Sequence, residues 1–221
     1  MTFSIAARCP DTGAFGMAIS SSSIAVASRC VWTGPSGVVA TQNLTNPASG
    51  FAGQNLLRQG LGASAVLELL LAGDPDPDWR QVAVIDRYSQ VAVHSGKNAF
   101  SASSMTCGAG VVAMGNLLAS SEVTQRMIAA FENNRDMTLA ERLLRALEAG
   151  LAAGGESEPV RSAGLQVCGG FDWPQVDLRV DWDEAPIGRL REIWMLYEPQ
   201  EQTFVAWAKE PGASKVGDEG K

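Results

Sequence analysis

Two short alternating segments joined by a tight turn open the chain, and they constrain its fold more than any other feature. In residues 2–8, Phe3, Ile5 and Ala7 alternate with Thr2, Ser4, Ala6 and Arg8, which is the period of a strand with a buried face. Pro10-Asp11-Thr12-Gly13 follows: proline presets φ and glycine supplies the positive φ that closes a turn. Residues 14–20 then read as a second strand. A hairpin at this position calls for antiparallel sheet, not a βαβ unit.

The remaining chain keeps to that pattern. Residues 37–42 read as a strand apolar on both sides. Asn46-Pro47 marks a helix start, with asparagine as cap and proline at the first helical position. Two helices are expected, about 48–60 and 63–72; the second has too many leucines for one stripe and reads as largely buried. The run Asp74-Pro75-Asp76-Pro77-Asp78 reads as a solvated connector. Residues 81–86 and 90–94 form a second hairpin, and a strand or two lies within 99–115. A helix from Ser121-Glu122 to about Asn133 precedes one started by a Thr138/Glu141 capping box, with Leu139, Leu143, Leu147 and Leu151 on one stripe. Strands at 162–168 and 177–182, a helix at 186–197 and a final strand at 202–207 complete the reading. Residues 209–221 are polar and glycine-rich, and read as a disordered tail behind one domain spanning 1–208. With hairpins throughout and one helix pair in each half, the expected class is α+β: a four-layer αββα sandwich of two mainly antiparallel sheets.

Composition excludes several functions. The net charge of -7, with no cluster of Lys and Arg, argues against a nucleic-acid partner. No apolar run reaches the ~18 residues of a membrane span. Cys9, Cys30, Cys107 and Cys168 lack metal-ligand spacing, and with no signal peptide visible they read as reduced thiols of a cytoplasmic protein. His94 is the only histidine, so any Ser-His-Asp triad or multi-histidine metal site would have to pass through it. The segment 108–113 loosely matches a dinucleotide fingerprint without a βαβ unit around it. No metal, nucleotide or other cofactor is expected. Apolar helices and six tryptophans point to a homo-oligomer.

The chemistry is expected at the start. Aminopeptidase usually removes a methionine that precedes a small residue, which would leave Thr2 with its hydroxyl beside its own α-amine. That amine, with a pKa near 8, is about one-tenth free base at pH 7, so one residue supplies nucleophile and base. With Met1 retained, the amine sits on the wrong residue. The serines at 20–23 end the second strand where the hairpin returns to Thr2. They read either as a solvated strand end or as a polar wall that includes Ser21.

The chain resembles the bacterial family catalogued as domain of unknown function 1028, placed among the N-terminal-nucleophile (Ntn) hydrolase-like proteins. The resemblance rests on residues 2–8, on Val39-Ala40-Thr41-Gln42 with Asn46-Pro47, and on His94-Ser95-Gly96. It continues through Gly115-Asn116-Leu117-Leu118, Ala140-Glu141-Arg142-Leu143-Leu144, Gly154-Gly155-Glu156 and Ser162-Ala163. It ends with Asp177-Leu178-Arg179-Val180-Asp181 and Pro186. It implies an Ntn-hydrolase-like fold and Thr2 as nucleophile on a small amide, lactam or ureido substrate. Gln42, Asn43 and Asn116 are then candidate oxyanion donors. Glu156, Glu158 and Ser162 fall where such sites support the terminal amine, and His94 is a candidate to face the substrate. Arg29 and Arg161 are candidates for a substrate carboxylate. Ser22 stands where the family pattern usually has a basic residue. The alternative is a catalytically silent member acting as a small-molecule binding or assembly module.

Overall fold

The computed structural model describes residues 2–213. Met1 and residues 214–221 lie outside the described residues, and with them the expectations of methionine removal and of most of the disordered tail. Ten strands run in chain order: β1 (Thr2–Arg8), β2 (Phe15–Ser21), β3 (Val31–Gly34), β4 (Gly37–Asn43), β5 (Arg80–Asp86), β6 (Val91–Ser95), β7 (Ser104–Gly108), β8 (Val111–Asn116), β9 (Ser162–Cys168) and β10 (Val176–Val180). The helices are α1 (Ala27–Cys30), α2 (Pro47–Arg58), α3 (Ala63–Gly73), α4 (Glu122–Glu132), α5 (Leu139–Ala152), α6 (Pro186–Tyr197) and α7 (Glu201–Lys209).

The strands form two sheets, ordered β10-β9-β2-β1-β8-β7 and β3-β4-β5-β6, with every pairing antiparallel. The opening strand therefore lies inside the larger sheet, between β2 and β8. Side-chain alternation sorts β1 onto two cores. Phe3, Ile5 and Ala7 pack beneath α4, α5 and α6 with Phe131, Leu143, Leu147 and Trp194. Ala6 joins Met17, Ile19, Val38, Ala40, Ala83, Ile85 and Met114 between the sheets. On the far side, Val39, Val82 and Val84 meet Leu57, Val66 and Leu70 from α2 and α3. The layers thus run α, β, β, α, as the sequence implied. Each fully buried Leu, Ile or Phe in these layers contributes roughly 1.5–3 kcal/mol.

Local signals explain several boundaries. Asn46 accepts from Ala48 N at the start of α2, with Pro47 at the first helical position. Thr138 caps α5 by accepting from Glu141 N. The Glu141 carboxylate is spent elsewhere, on Arg145, Arg191 and Trp194 Nε1, so the box is half closed.

Four expectations need correction. Residues 202–207 are helical: Phe204 packs on Tyr197 and Trp207, so an aromatic face holds α7 against the end of α6. The tail reading starts too early, since Lys209 closes α7 and Pro211–Ala213 form a 3-10 turn. Asp74 is not solvated but buried, where it accepts from Arg80 and Asn46 and falls to a pKa of about 2. Leu69 and Leu151 face outward at the edges of their helices.

Candidate active site at the start of the first strand

Between the sheets, the apolar packing gives way to polar side chains at one end. Thr2 lies opposite Asn116 across the β1–β8 pairing, and Ser21 lies opposite Ser162 across β2–β9. Alternation puts all four on the face that looks at the second sheet, in one row across β8, β1, β2 and β9. All are buried, Thr2 at 5% exposure and Asn116 at 0%. A row of polar residues at a strand end reads as solvated in sequence; here the second sheet covers it.

Hydroxyls continue the row. Thr2 Oγ1 donates to Ser21 Oγ at 3.4 Å. Ser21 Oγ is 2.9 Å from Ser23 Oγ and accepts from Ser23 N at 3.1 Å. Arg29 Nη2 donates to Ser23 Oγ at 2.6 Å, and its Nη1 donates to the carbonyls of Ile24 and Ala25. A guanidinium thus stands two hydroxyls from Thr2. Ser162 Oγ fastens the same loop, donating to Ser23 O at 2.6 Å and accepting from Val26 N at 3.1 Å.

A buried amide network sits on the other side of Thr2, centred on Gln81 of β5, a residue the sequence reading did not single out. The Gly115 carbonyl requires a donor and takes Gln81 Nε2 at 3.2 Å. That fixes Gln81 Oε1 as the acceptor for Asn116 Nδ2 at 2.8 Å and Gln42 Nε2 at 3.1 Å. Gln42 Oε1 in turn accepts from Ser4 Oγ at 2.7 Å. The polarity propagates outward, so Asn116 is left with its carbonyl oxygen, Oδ1, buried and without a hydrogen-bond partner. Where an oxyanion donor was expected, the bonding of Asn116 presents an acceptor.

Glu156 closes the end of the row. Its Oε2 accepts from Ser22 N, just past β2, and its backbone bridges Leu118, just past β8. Since β2 and β8 flank β1, Glu156 lies across the beginning of β1. Its Oε1 is buried without a hydrogen-bond partner. Burial pushes the carboxyl up to about 7, against the opposing bond from Ser22. Gly154 and Gly155, both at positive φ, carry the chain from α5 into this position.

Not every candidate joins the site. Asn43, at φ +70°, ties two loops: its Nδ2 donates to Trp79 O and its Oδ1 accepts from Phe100 N. His94 lies opposite Val82 of the outer core, and its Nε2 is 3.0 Å from Pro77 O. It therefore faces the helical layer and not Thr2. The Arg161 guanidinium stands over the exposed Trp182 ring, 5.9 Å from its centroid. Among the described residues, no group of three His, Cys, Asp or Glu is placed to hold a metal. No described helix is long and apolar enough to cross a membrane.

A four-layer sandwich with a hydroxyl residue buried at the head of a central strand defines the class of fold. The chain matches the model of a family described as "Family of unknown function (DUF1028)" over residues 2–190, and it belongs to that family. It is similar to the crystal structure of a DUF1028 protein from Silicibacter pomeroyi, 28% identical, with a TM-score of 0.84 over 95% of this chain and 94% of that one. It also matches Anbu from Hyphomicrobium sp. strain MC1 at 11% identity and a TM-score of 0.41, over 92% of this chain and 97% of that one. No curated protein matches the chain.

Proposed function

We propose that this protein is an N-terminal-nucleophile amidohydrolase that cleaves a small amide, lactam or ureido bond with Thr2, once Met1 has been removed. The observation that carries the reading is a pair of buried acceptors without partners, Asn116 Oδ1 and Glu156 Oε1, at the start of β1. A terminal ammonium on Thr2 supplies the N–H donors that such acceptors need.

In this mechanism the Thr2 hydroxyl attacks the acyl carbon and its proton passes to the α-amine. Asn116 and Glu156 hold the resulting ammonium, which then protonates the leaving nitrogen. Water, activated by the amine, cleaves the acyl ester and restores the hydroxyl. Arg29 places a positive charge behind Ser23 and Ser21, on the side where Ser22 offers none. A carboxyl near 7 is poised to exchange protons with an amine near 8.

The silent-module reading draws on the same acceptors, which would hold an amine ligand beside a Thr2 that is only 5% exposed. A panel of small amides, lactams and ureides, tested on protein made without an N-terminal tag, separates the two. Turnover that persists in Thr2→Ser and disappears in Thr2→Ala supports the hydrolase. Full activity in Thr2→Ala would mean that Thr2 is not the nucleophile, and amine binding without turnover would favour the module.

A further inference from the structure

The other end of β1, about 20 Å from Thr2 by strand rise, holds a feature that the proposed chemistry does not use. Arg8, Arg135 and Arg142 meet there around a cavity of about 220 Å3, with Ser89 and Phe131 also in its wall. Arg142, on α5, is only 6% exposed. Its Nε donates to Phe131 O at 3.2 Å and its guanidinium lies 3.9 Å from the Phe131 ring centroid. Arg8 Nη1 donates to Ser89 Oγ at 3.2 Å, while Arg8 Nε is buried without a partner. None of the three forms an ion pair among the described residues.

Two other partly buried arginines of this fold are matched to carboxylates, while Arg29 is spent on backbone carbonyls and Ser23. Arg80 is paired with Asp74, and Arg191 with Glu141 and Glu148. A buried guanidinium without an anion is costly, and the cost is offset only when a negative group reaches it. Asp11 and Glu132 also line the cavity, so its wall carries three positive and two negative charges. The excess suits one small anion. The volume falls below the ~300 Å3 at which pockets for drug-sized ligands begin, which sets nucleotides aside. Guanidinium forks match the paired oxygens of carboxylate and phosphate.

We propose that this cavity is a second ligand site, which takes a small oxyanion, phosphate or carboxylate, on Arg142 at its floor with Arg8 and Arg135 around it. The site is independent of the hydrolase reading, and Thr2→Ala leaves it intact.

The test is calorimetric titration of the full chain in chloride buffer at constant ionic strength, with inorganic phosphate in one arm and acetate in the other. Saturable one-to-one binding in either arm is expected, and the arm that binds more tightly identifies the oxyanion. Arg135→Gln, an exposed position, weakens binding by about tenfold, since it removes one charged hydrogen-bonding group. Asp11→Asn tightens it by a few-fold, because a neighbouring negative charge is gone. Circular dichroism verifies that each variant is folded. The proposal is overturned if neither anion binds saturably, or if Arg135→Gln and Arg8→Gln both bind as well as the parent chain.

Discussion

At the Thr2 end of β1 the buried polar atoms left over are acceptors, Asn116 Oδ1 and Glu156 Oε1; at the Arg8 end the leftover is a donor, Arg8 Nε, beside the unpaired Arg142. The same strand carries both ends, the first covered by the second sheet and the other also walled by α4 and α5. Among the described residues, two other such atoms, Trp32 Nε1 and Gln54 Oε1, lie together where α2 covers β3, away from both ends. Native folds satisfy nearly all buried polar groups, so each exception calls for a physical explanation. On the two proposals made above, one end would hold an amine and the other an anion.

The largest expected effect breaks the Thr2 end. Thr2→Ala keeps a small second residue, so methionine removal and the amine are unaffected and only the hydroxyl is lost. Turnover of an identified amide substrate should fall by at least about 10^4-fold, with thermal unfolding unchanged.

Glu156→Gln comes next and has a signature in pH. Glu156 titrates near 4.5 in the unfolded chain and near 7 in the fold, so the fold binds this proton more tightly. Its contribution to stability is therefore full below pH 4.5 and is lost as pH rises through 7. In urea titrations the variant should match the parent chain at pH 4 and exceed it at pH 8. In activity it should lose about 10^2-fold in kcat, together with the pH limb that Glu156 provides. Equal stability of the two chains at pH 8 would show that the buried carboxylate carries no such burden.

Gln81→Ala tests the polarity of the amide network. It strips an acceptor from Asn116 and Gln42 and a donor from the Gly115 carbonyl, at an expected loss of about 2–3 kcal/mol. Guanidinium titration reads the difference. The smallest effect belongs to the arginine end. Arg142→Met should change stability in chloride by less than about 1 kcal/mol, because relief of the buried unpaired charge is offset by loss of its bond to Phe131 O and its packing on the Phe131 ring. Arg191→Met, which strands Glu141 and Glu148, should cost more in the same unfolding assay.

Much of the frame was legible in the chain. Thr2–Arg8, Ser162–Cys168 and Pro186–Tyr197 have the bounds that alternation, β-branched content and an N-terminal proline suggest. The four-residue β3 was not, since Val31-Trp32-Thr33-Gly34 is too short to show a period. Phe204, Val205 and Trp207 favour strand by propensity, yet packing on Tyr197 keeps them helical. At the site, Thr2, Ser21, Asn116, Glu156 and Ser162 were read from strand ends and family pattern, and the fold brings them together. Gln81 escaped because a polar residue opening a strand looks solvent-facing. Its partners Gln42, Ser95 and Asn116 come from other strands, and only the stacked sheets bring them into reach. Arg8, Arg135 and Arg142 escaped for a similar reason: single arginines in sequence carry no sign that their carboxylates are missing.

On the proposed function, the acceptors around Thr2 are there for its own α-amine. Intact mass of the purified protein, expressed without an N-terminal tag, tests this most directly. The expected mass is lower than that of the full sequence by one methionine, with Thr2 as the terminal residue. A mass that includes Met1 throughout the preparation would contradict it, because the amine would then belong to a different residue from the hydroxyl it must activate.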